Sequence, residues 1–126
     1  MKKPFLGLRT TIYKVPDLAE AKVWYAKAFN TEPYFDEVFY VGFNIGGYEL
    51  GLLPEEKPPH HKTESVVAYW GVEDIQFSYE QLLKNGAIAN EKPENVGGTV
   101  WVASVKDPWD NVIGIICNPE FKANQI

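Results

Sequence analysis

The chain has 126 residues, of which 45% are hydrophobic and 23% charged, and its formal net charge is -5. This length and apolar content suit one compact domain with a buried core and argue against disorder. An acidic balance without a basic run disfavours nucleic acids and anionic membranes as partners. The single cysteine, Cys117, excludes an internal disulfide and a cysteine-rich zinc site. No stretch reaches the roughly 20 apolar residues of a spanning helix, so the sequence predicts a soluble, cytoplasmic protein.

The first predicted elements are a strand and a helix. Residues from Leu8 to Lys14 favour the strand, and Asp17 suits the N-cap of the helix. A carboxylate there can accept backbone N–H groups and lies at the positive end of the helix dipole. Glu20, three positions later, resembles the second member of a capping box. Apolar residues recur at helical spacing as far as Phe29: Leu18, Ala21, Tyr25 and Ala28.

Three further strands are predicted in the first half. One lies at 32–35, and two more, VFYVGFNI (38–45) and YELGLL (48–53), flank Gly46-Gly47. Paired glycines between apolar runs indicate a hairpin. The polar, proline-rich stretch at 55–64 is predicted to be a linker.

The second half repeats this order. A β-rich run at 65–71 precedes Asp74, the second N-cap candidate, and Gly86 marks the predicted end of the second helix. Strands at 87–92, 99–105 and 111–117 follow, the last two joined by the turn KDPWD. The sequence therefore predicts an α+β fold of two βαβββ modules, about residues 5–54 and 65–119. The modules are expected to form a curled mixed sheet around a cleft, with the helices on the outer face.

These features resemble the vicinal oxygen chelate superfamily of glyoxalases, bleomycin-resistance proteins and extradiol dioxygenases. The resemblance rests on the repeated βαβββ order, on the helix starts at Asp17 and Asp74, and on the closing stretch DPWDNVIGI, and it covers 6–119. The family usually has glycine where Asp110 stands, but Asp tolerates the left-handed backbone of such a turn. The superfamily includes isomerases, dioxygenases, thiol transferases and drug-binding proteins, so the fold implies no single function.

In metal-dependent members, the resemblance implies His, Gln or Glu ligands from the first and last strands of each half. The corresponding positions here carry no competent ligand: Thr10, Gly51, Val67 and Gly114. The adjacent His60 and His61 indicate an exposed linker. The sequence therefore predicts no metal and no other cofactor. Gly51 and Gly114 are expected either to permit sheet curvature and close packing or to leave room for a ligand.

Glu49 is the candidate catalytic residue, because strand alternation places it on the same face as Gly51. It is interpreted either as a solvated carboxylate or as a general base whose pKa is raised in an apolar cleft. The rest of the predicted cleft is mostly apolar, with aromatic rings at its mouth: Thr10, Ile12, Leu53, Val67, Tyr69, Val112, Phe39, Tyr40, Trp101 and Trp109.

The sequence favours a metal-free protein that binds a small apolar or aromatic molecule. One alternative is a metal-dependent lyase or isomerase of the glyoxalase I type. A second is a metal-free enzyme with Glu49 as its base, and a third is a domain that mainly mediates dimeric assembly. The resemblance also implies a homodimer.

Overall fold

The fold comes from a computed structural model that describes residues 8–56, 62 and 67–119. The chain divides into two compact units, Met1–Pro58 and Pro59–Ile126, which we call module one and module two. Among the described residues, each unit contains one helix and a four-stranded mixed sheet that does not close into a barrel. The predicted α+β fold with two βαβββ modules is confirmed.

Module one contains β1 (Thr10–Val15), α1 (Leu18–Ala28), β2 (Phe35–Glu37), β3 (Tyr40–Ile45) and β4 (Tyr48–Pro54). Its strand order is β1-β4-β3-β2, with β1 parallel to β4 and the other pairs antiparallel. A parallel pair needs a long crossover, and α1 lies in that connection.

The helix α1 covers one face of this sheet. Tyr13, on β1, stacks against Tyr25 of α1 with ring centroids 5.7 Å apart, and both side chains are buried. Because side chains alternate along a strand, the intervening residues project from the other face, which we call the distal face. The distal face of module one includes Thr10, Ile12, Gly42, Glu49 and Gly51.

Module two contains β5 (Tyr69–Gly71), α2 (Ile75–Lys84), β6 (Ile88–Gly97), β7 (Val100–Lys106) and β8 (Val112–Cys117). The strand order, β5-β8-β7-β6, repeats that of module one, and β5 is parallel to β8. One face carries the buried apolar side chains of Ala103, Val105, Ile113 and Ile115. The distal face of module two is defined by Tyr69, Ser104 and Gly114, which are aligned across three strands.

Both helices begin where the sequence predicts. The Asp17 carboxylate accepts a hydrogen bond from the Glu20 backbone N–H, and Asp74 accepts one from Phe77, each at 3.0 Å. Gly86 has a φ of 96°, in the left-handed region, and follows the end of α2 as predicted. At 11 and 10 residues, the helices of the described part of the chain are too short to cross a membrane.

The closing turn of module two is built around Asp107, which is completely buried. Its Oδ1 accepts hydrogen bonds from the backbone N–H groups of Trp109 and Asn111, both at 2.8 Å. Its Oδ2 accepts a third from the Asn111 side-chain amide at 2.9 Å. Asp110 has a φ of 70°, so it adopts the left-handed backbone that the sequence leads us to expect where the family has glycine.

We expect Asp110→Gly to raise the free energy of unfolding by about 1 kcal/mol, because glycine adopts left-handed backbone without the Cβ penalty. Asp110→Ala should lower it, since alanine lacks the side-chain oxygen that lets Asp tolerate this conformation. Urea denaturation of the three proteins measures the order. A glycine variant less stable than the parent would show that the Asp110 side chain stabilises the turn by other means.

Candidate functional site

Glu49, on β4, is the acceptor for three hydroxyl groups of module one. The Thr10 hydroxyl donates to Glu49 Oε1 at 2.6 Å, and the Tyr34 hydroxyl donates to Oε2 at 2.5 Å. The Tyr40 hydroxyl also hydrogen-bonds to this carboxylate. Thr10 reaches Glu49 because the parallel register of β1 and β4 places the two residues opposite each other, whereas Gly51 lies opposite Ile12.

These hydroxyls favour the ionised form of Glu49. The hydrogen bond from Thr10 and then that from Tyr34 lower the pKa of Glu49, although desolvation acts in the opposite direction. Burial, followed by the hydrogen bond to Glu49, raises the pKa of Tyr40 to about 12. The hydrogen bond to Glu49 likewise raises the pKa of Tyr34. Of the two interpretations of Glu49, a general base of raised pKa is therefore not favoured, because a lowered pKa makes Glu49 a weaker base.

Gly42 and Gly51 form the floor beneath this carboxylate. The two glycines are partners across β3 and β4. A Cβ on Gly42 would lie 2.7 Å from Glu49 Oε2, and a Cβ on Gly51 would overlap the Tyr40 hydroxyl. Real Cβ atoms essentially never come within 3.0 Å of another heavy atom. Of the two interpretations of Gly51, the structure therefore favours close packing: Tyr40 of the same chain occupies the space.

Phe35 joins the tyrosines in a cluster of rings. It pairs with Gly42 and so projects from the distal face. Its ring centroid is 6.5 Å from that of Tyr34, 6.1 Å from that of Phe39 and 6.0 Å from that of Tyr40. Three rings remain accessible, with exposed fractions of 64% for Tyr34, 39% for Phe35 and 59% for Phe39. We call the four side chains of Tyr34, Phe35, Phe39 and Tyr40 the aromatic cluster.

Two members of the aromatic cluster were not among the predicted cleft residues. The sequence predicts Phe39 and Tyr40 at the mouth of the cleft and assigns Tyr34 and Phe35 only to a strand. A local signal exists, because two adjacent aromatics at the start of a short strand cannot both point into the core. Their proximity to Glu49 depends on tertiary structure.

Gly114 of module two is the structural counterpart of Gly51. Each glycine lies opposite the residue five positions before a helix-start Asp, Ile12 for Gly51 and Tyr69 for Gly114. A Cβ on Gly114 would lie 2.7 Å from the Tyr69 ring and 2.8 Å from the Ala68 carbonyl oxygen. The space above this second glycine is therefore also filled by a tyrosine of the same chain.

The remaining predicted residues lie on several surfaces. On the distal faces are Ile12 and Leu53 of module one and Val112 of module two. Val67 is half-buried just before β5, and Trp109 is half-buried in the closing turn. Trp101 lies opposite Cys117, which is three residues beyond Gly114 on β8. Because side chains alternate along a strand, Trp101 projects from the face opposite to that of Gly114. Trp101 therefore does not line the same surface as Gly114.

The donors of module one do not fit the metal set that the resemblance implies. Thr10 occupies the first-strand position, Glu49 is the carboxylate beside it, and the other oxygens are phenolic. The corresponding positions of module two carry valine and glycine, whose side chains have no donor atom. Within 8–56, 62 and 67–119, no three His, Cys, Asp or Glu side chains are grouped to hold a metal ion. His60 and His61 lie outside the described residues.

The comparison with protein-family models identifies one family. The family model described as Glyoxalase/Bleomycin resistance protein/Dioxygenase superfamily matches residues 7–115. A glyoxalase-related enzyme from Fulvimarina pelagi shares 17% identity and a TM-score of 0.74, with 95% of each chain covered. A fosfomycin resistance protein from Listeria monocytogenes shares 14% identity and a TM-score of 0.73, with 94% of this chain and 97% of that chain covered. At these identities the structures show the fold alone. The comparison with curated proteins gives no match.

Proposed function

Because the chain belongs to the glyoxalase/bleomycin resistance protein/dioxygenase superfamily, we propose that it binds a small apolar or aromatic molecule without a metal. The observation that carries this proposal is the aromatic cluster of module one, in which the exposed Tyr34 donates a hydrogen bond to the half-buried Glu49 carboxylate. Small-molecule sites are mostly apolar, with a few well-placed polar groups that orient the ligand. The distal face of module one offers both kinds of group.

Ligand binding also accounts for the exposure of these rings. Burying apolar surface stabilises a complex by about 25 cal/mol per Å², and a well-oriented pair of aromatic rings adds about 0.5–1.5 kcal/mol. A flat ligand covering Tyr34, Phe35 and Phe39 would gain both contributions. The hydrogen bond to Glu49 holds the Tyr34 ring in place before binding, which reduces the entropy lost when the ligand binds.

The alternative functions receive less support from this site. A metal-dependent lyase or isomerase needs several nitrogen or carboxylate ligands. Around the positions where the resemblance implies those ligands, the described residues provide one carboxylate, that of Glu49, and hydroxyl groups. A reaction that uses Glu49 as a base needs a carboxylate of raised pKa, whereas Thr10 and Tyr34 lower the pKa of Glu49. We therefore propose binding and not turnover.

We expect Phe35→Ala to weaken binding of the neutral fluorescent probe N-phenyl-naphthylamine about tenfold, because Phe35 contacts every other ring of the cluster. Phe77→Ala is the matched control, since Phe77 is an exposed phenylalanine (60%) on α2 of module two. Probe fluorescence titrated with each protein gives the dissociation constants. An equal loss in the two variants, or a parent protein that leaves the probe fluorescence unchanged, would contradict the proposed site.

We also propose that the protein acts as a homodimer in the cytoplasm. The family resemblance supports the dimer, and the acidic composition is compatible with a cytoplasmic location. Light scattering during size-exclusion chromatography should give about twice the chain mass of 14.3 kDa. A mass equal to that of one chain at working concentration would overturn the dimer.

A further inference from the structure

The hydrogen bond between Glu49 and Tyr34 of the aromatic cluster indicates the charge of the ligand. We propose that this site binds an organic ammonium ion, with its nitrogen against the Glu49 carboxylate and its apolar substituent on the rings of Tyr34 and Phe35. This inference rests on the proposed function and names the ligand class of the same site.

The Glu49 charge is hydrogen-bonded but not neutralised. All of its hydrogen-bond partners among the described residues, Thr10, Tyr34 and Tyr40, are uncharged hydroxyls. The ion pair found within the described ranges joins Lys22 to Asp36 and does not involve this carboxylate. A carboxylate has about four lone-pair sites, and three hydroxyls leave one of them for a ligand donor. An ammonium N–H is the strongest donor for that site, because its hydrogen bond is charge-assisted.

The rings around this anion also favour a cation. An aromatic face carries negative charge density and attracts cations lying within about 6 Å of its centroid. Phe35 lies within 6.5 Å of three neighbouring rings, and Tyr34 both donates to Glu49 and exposes its ring. A nitrogen beside Glu49 Oε2 is therefore adjacent to the Tyr34 ring as well. An anionic ligand would be repelled by the carboxylate and by the ring faces.

The glycine floor strengthens this preference. Gly42 lets the carboxylate lie against the sheet, since a Cβ there would overlap Glu49 Oε2. A half-buried charge is screened less by salt than an exposed one. Lys14 is on the same face but lies four residues beyond Thr10 along β1, about 13 Å at the rise of a strand. The register places Lys14 opposite Leu53, whereas Glu49 lies opposite Thr10.

The test compares two probes of the same shape and different charge. Phenethylamine is a cation at neutral pH, whereas phenethyl alcohol is neutral. By isothermal titration calorimetry, the parent protein should bind the amine at least about tenfold more tightly than the alcohol. Glu49→Gln should abolish this preference, so that the variant binds the two probes with equal affinity. Glu80→Gln, which removes an exposed carboxylate of α2, should keep the preference and so controls for net charge.

Tyr34→Phe provides a second reading if Glu49→Gln does not fold. It keeps the ring and the charge of Glu49 and removes the hydroxyl from Glu49 Oε2, so this variant should still bind the amine more tightly than the alcohol, although the ring loses its hydrogen bond and both affinities should fall. Equal affinities of the parent for the two probes, or a preference that survives Glu49→Gln, would overturn the ammonium ligand and leave the binding function standing. If neither of these probes binds, and N-phenyl-naphthylamine does not bind either, the binding function itself is overturned.

Discussion

Asp107→Ala is expected to lower the free energy of unfolding by about 3 kcal/mol. The substitution removes the acceptor of three hydrogen bonds in the closing turn, two from backbone N–H groups of Trp109 and Asn111 and one from the Asn111 side chain. Asp107 is fully buried, so water cannot easily replace it. Each buried donor left without a partner costs about 1–3 kcal/mol.

Urea denaturation of the parent and the variant measures this loss. Asp107→Asn is the matched control, because its carbonyl oxygen can still accept from the two backbone N–H groups while its amide faces the amide of Asn111. It should fall between the parent and the alanine variant. A loss of less than about 1 kcal/mol for Asp107→Ala would mean that the turn rearranges to satisfy its donors.

Gly114→Ala is expected to destabilise the protein by about 2 kcal/mol, and more than Gly51→Ala does. The new Cβ at 114 would meet both the Tyr69 ring and the Ala68 carbonyl oxygen, so part of the backbone has to move. At Gly51 the nearest atoms all belong to the Tyr40 side chain, which can rotate away. Overpacking of a filled site typically costs about 1–3 kcal/mol, and the freedom of the neighbour to move decides where in that range it falls.

Thermal unfolding of the two glycine variants tests this order. Gly71→Ala is a suitable control, because a Cβ there meets no heavy atom within 4 Å. Gly51→Ala should also return the pKa of Tyr40 from about 12 towards its ordinary value of 10.0, because the rotated ring becomes more exposed and moves away from Glu49. A tyrosinate absorbance titration detects that shift. A Gly51 variant less stable than the Gly114 variant would contradict the assigned contacts.

The helix starts and the closing turn could be predicted from sequence because their causes are local. Asp17 caps α1 through a residue three positions away, and Asp107 closes its turn through Asn111, four positions away. The equivalence of Gly51 and Gly114 was also predicted, since the repeat aligns the two last strands. Trp101 shows the limit of such reasoning, because its face depends on the pairing of β7 with β8.

The composition, the spacing of hydrophobic residues and the capping residues by themselves determined that this chain folds as two βαβββ modules. These signals suffice because they act between residues a few positions apart. Only the tertiary structure decided what surrounds Glu49: the register of β1 and β4 brings Thr10 to its carboxylate, although 39 positions separate the two residues. The tertiary structure also decided that Tyr40 and Tyr69 fill the spaces above Gly51 and Gly114, because an absent Cβ leaves room without specifying what fills it.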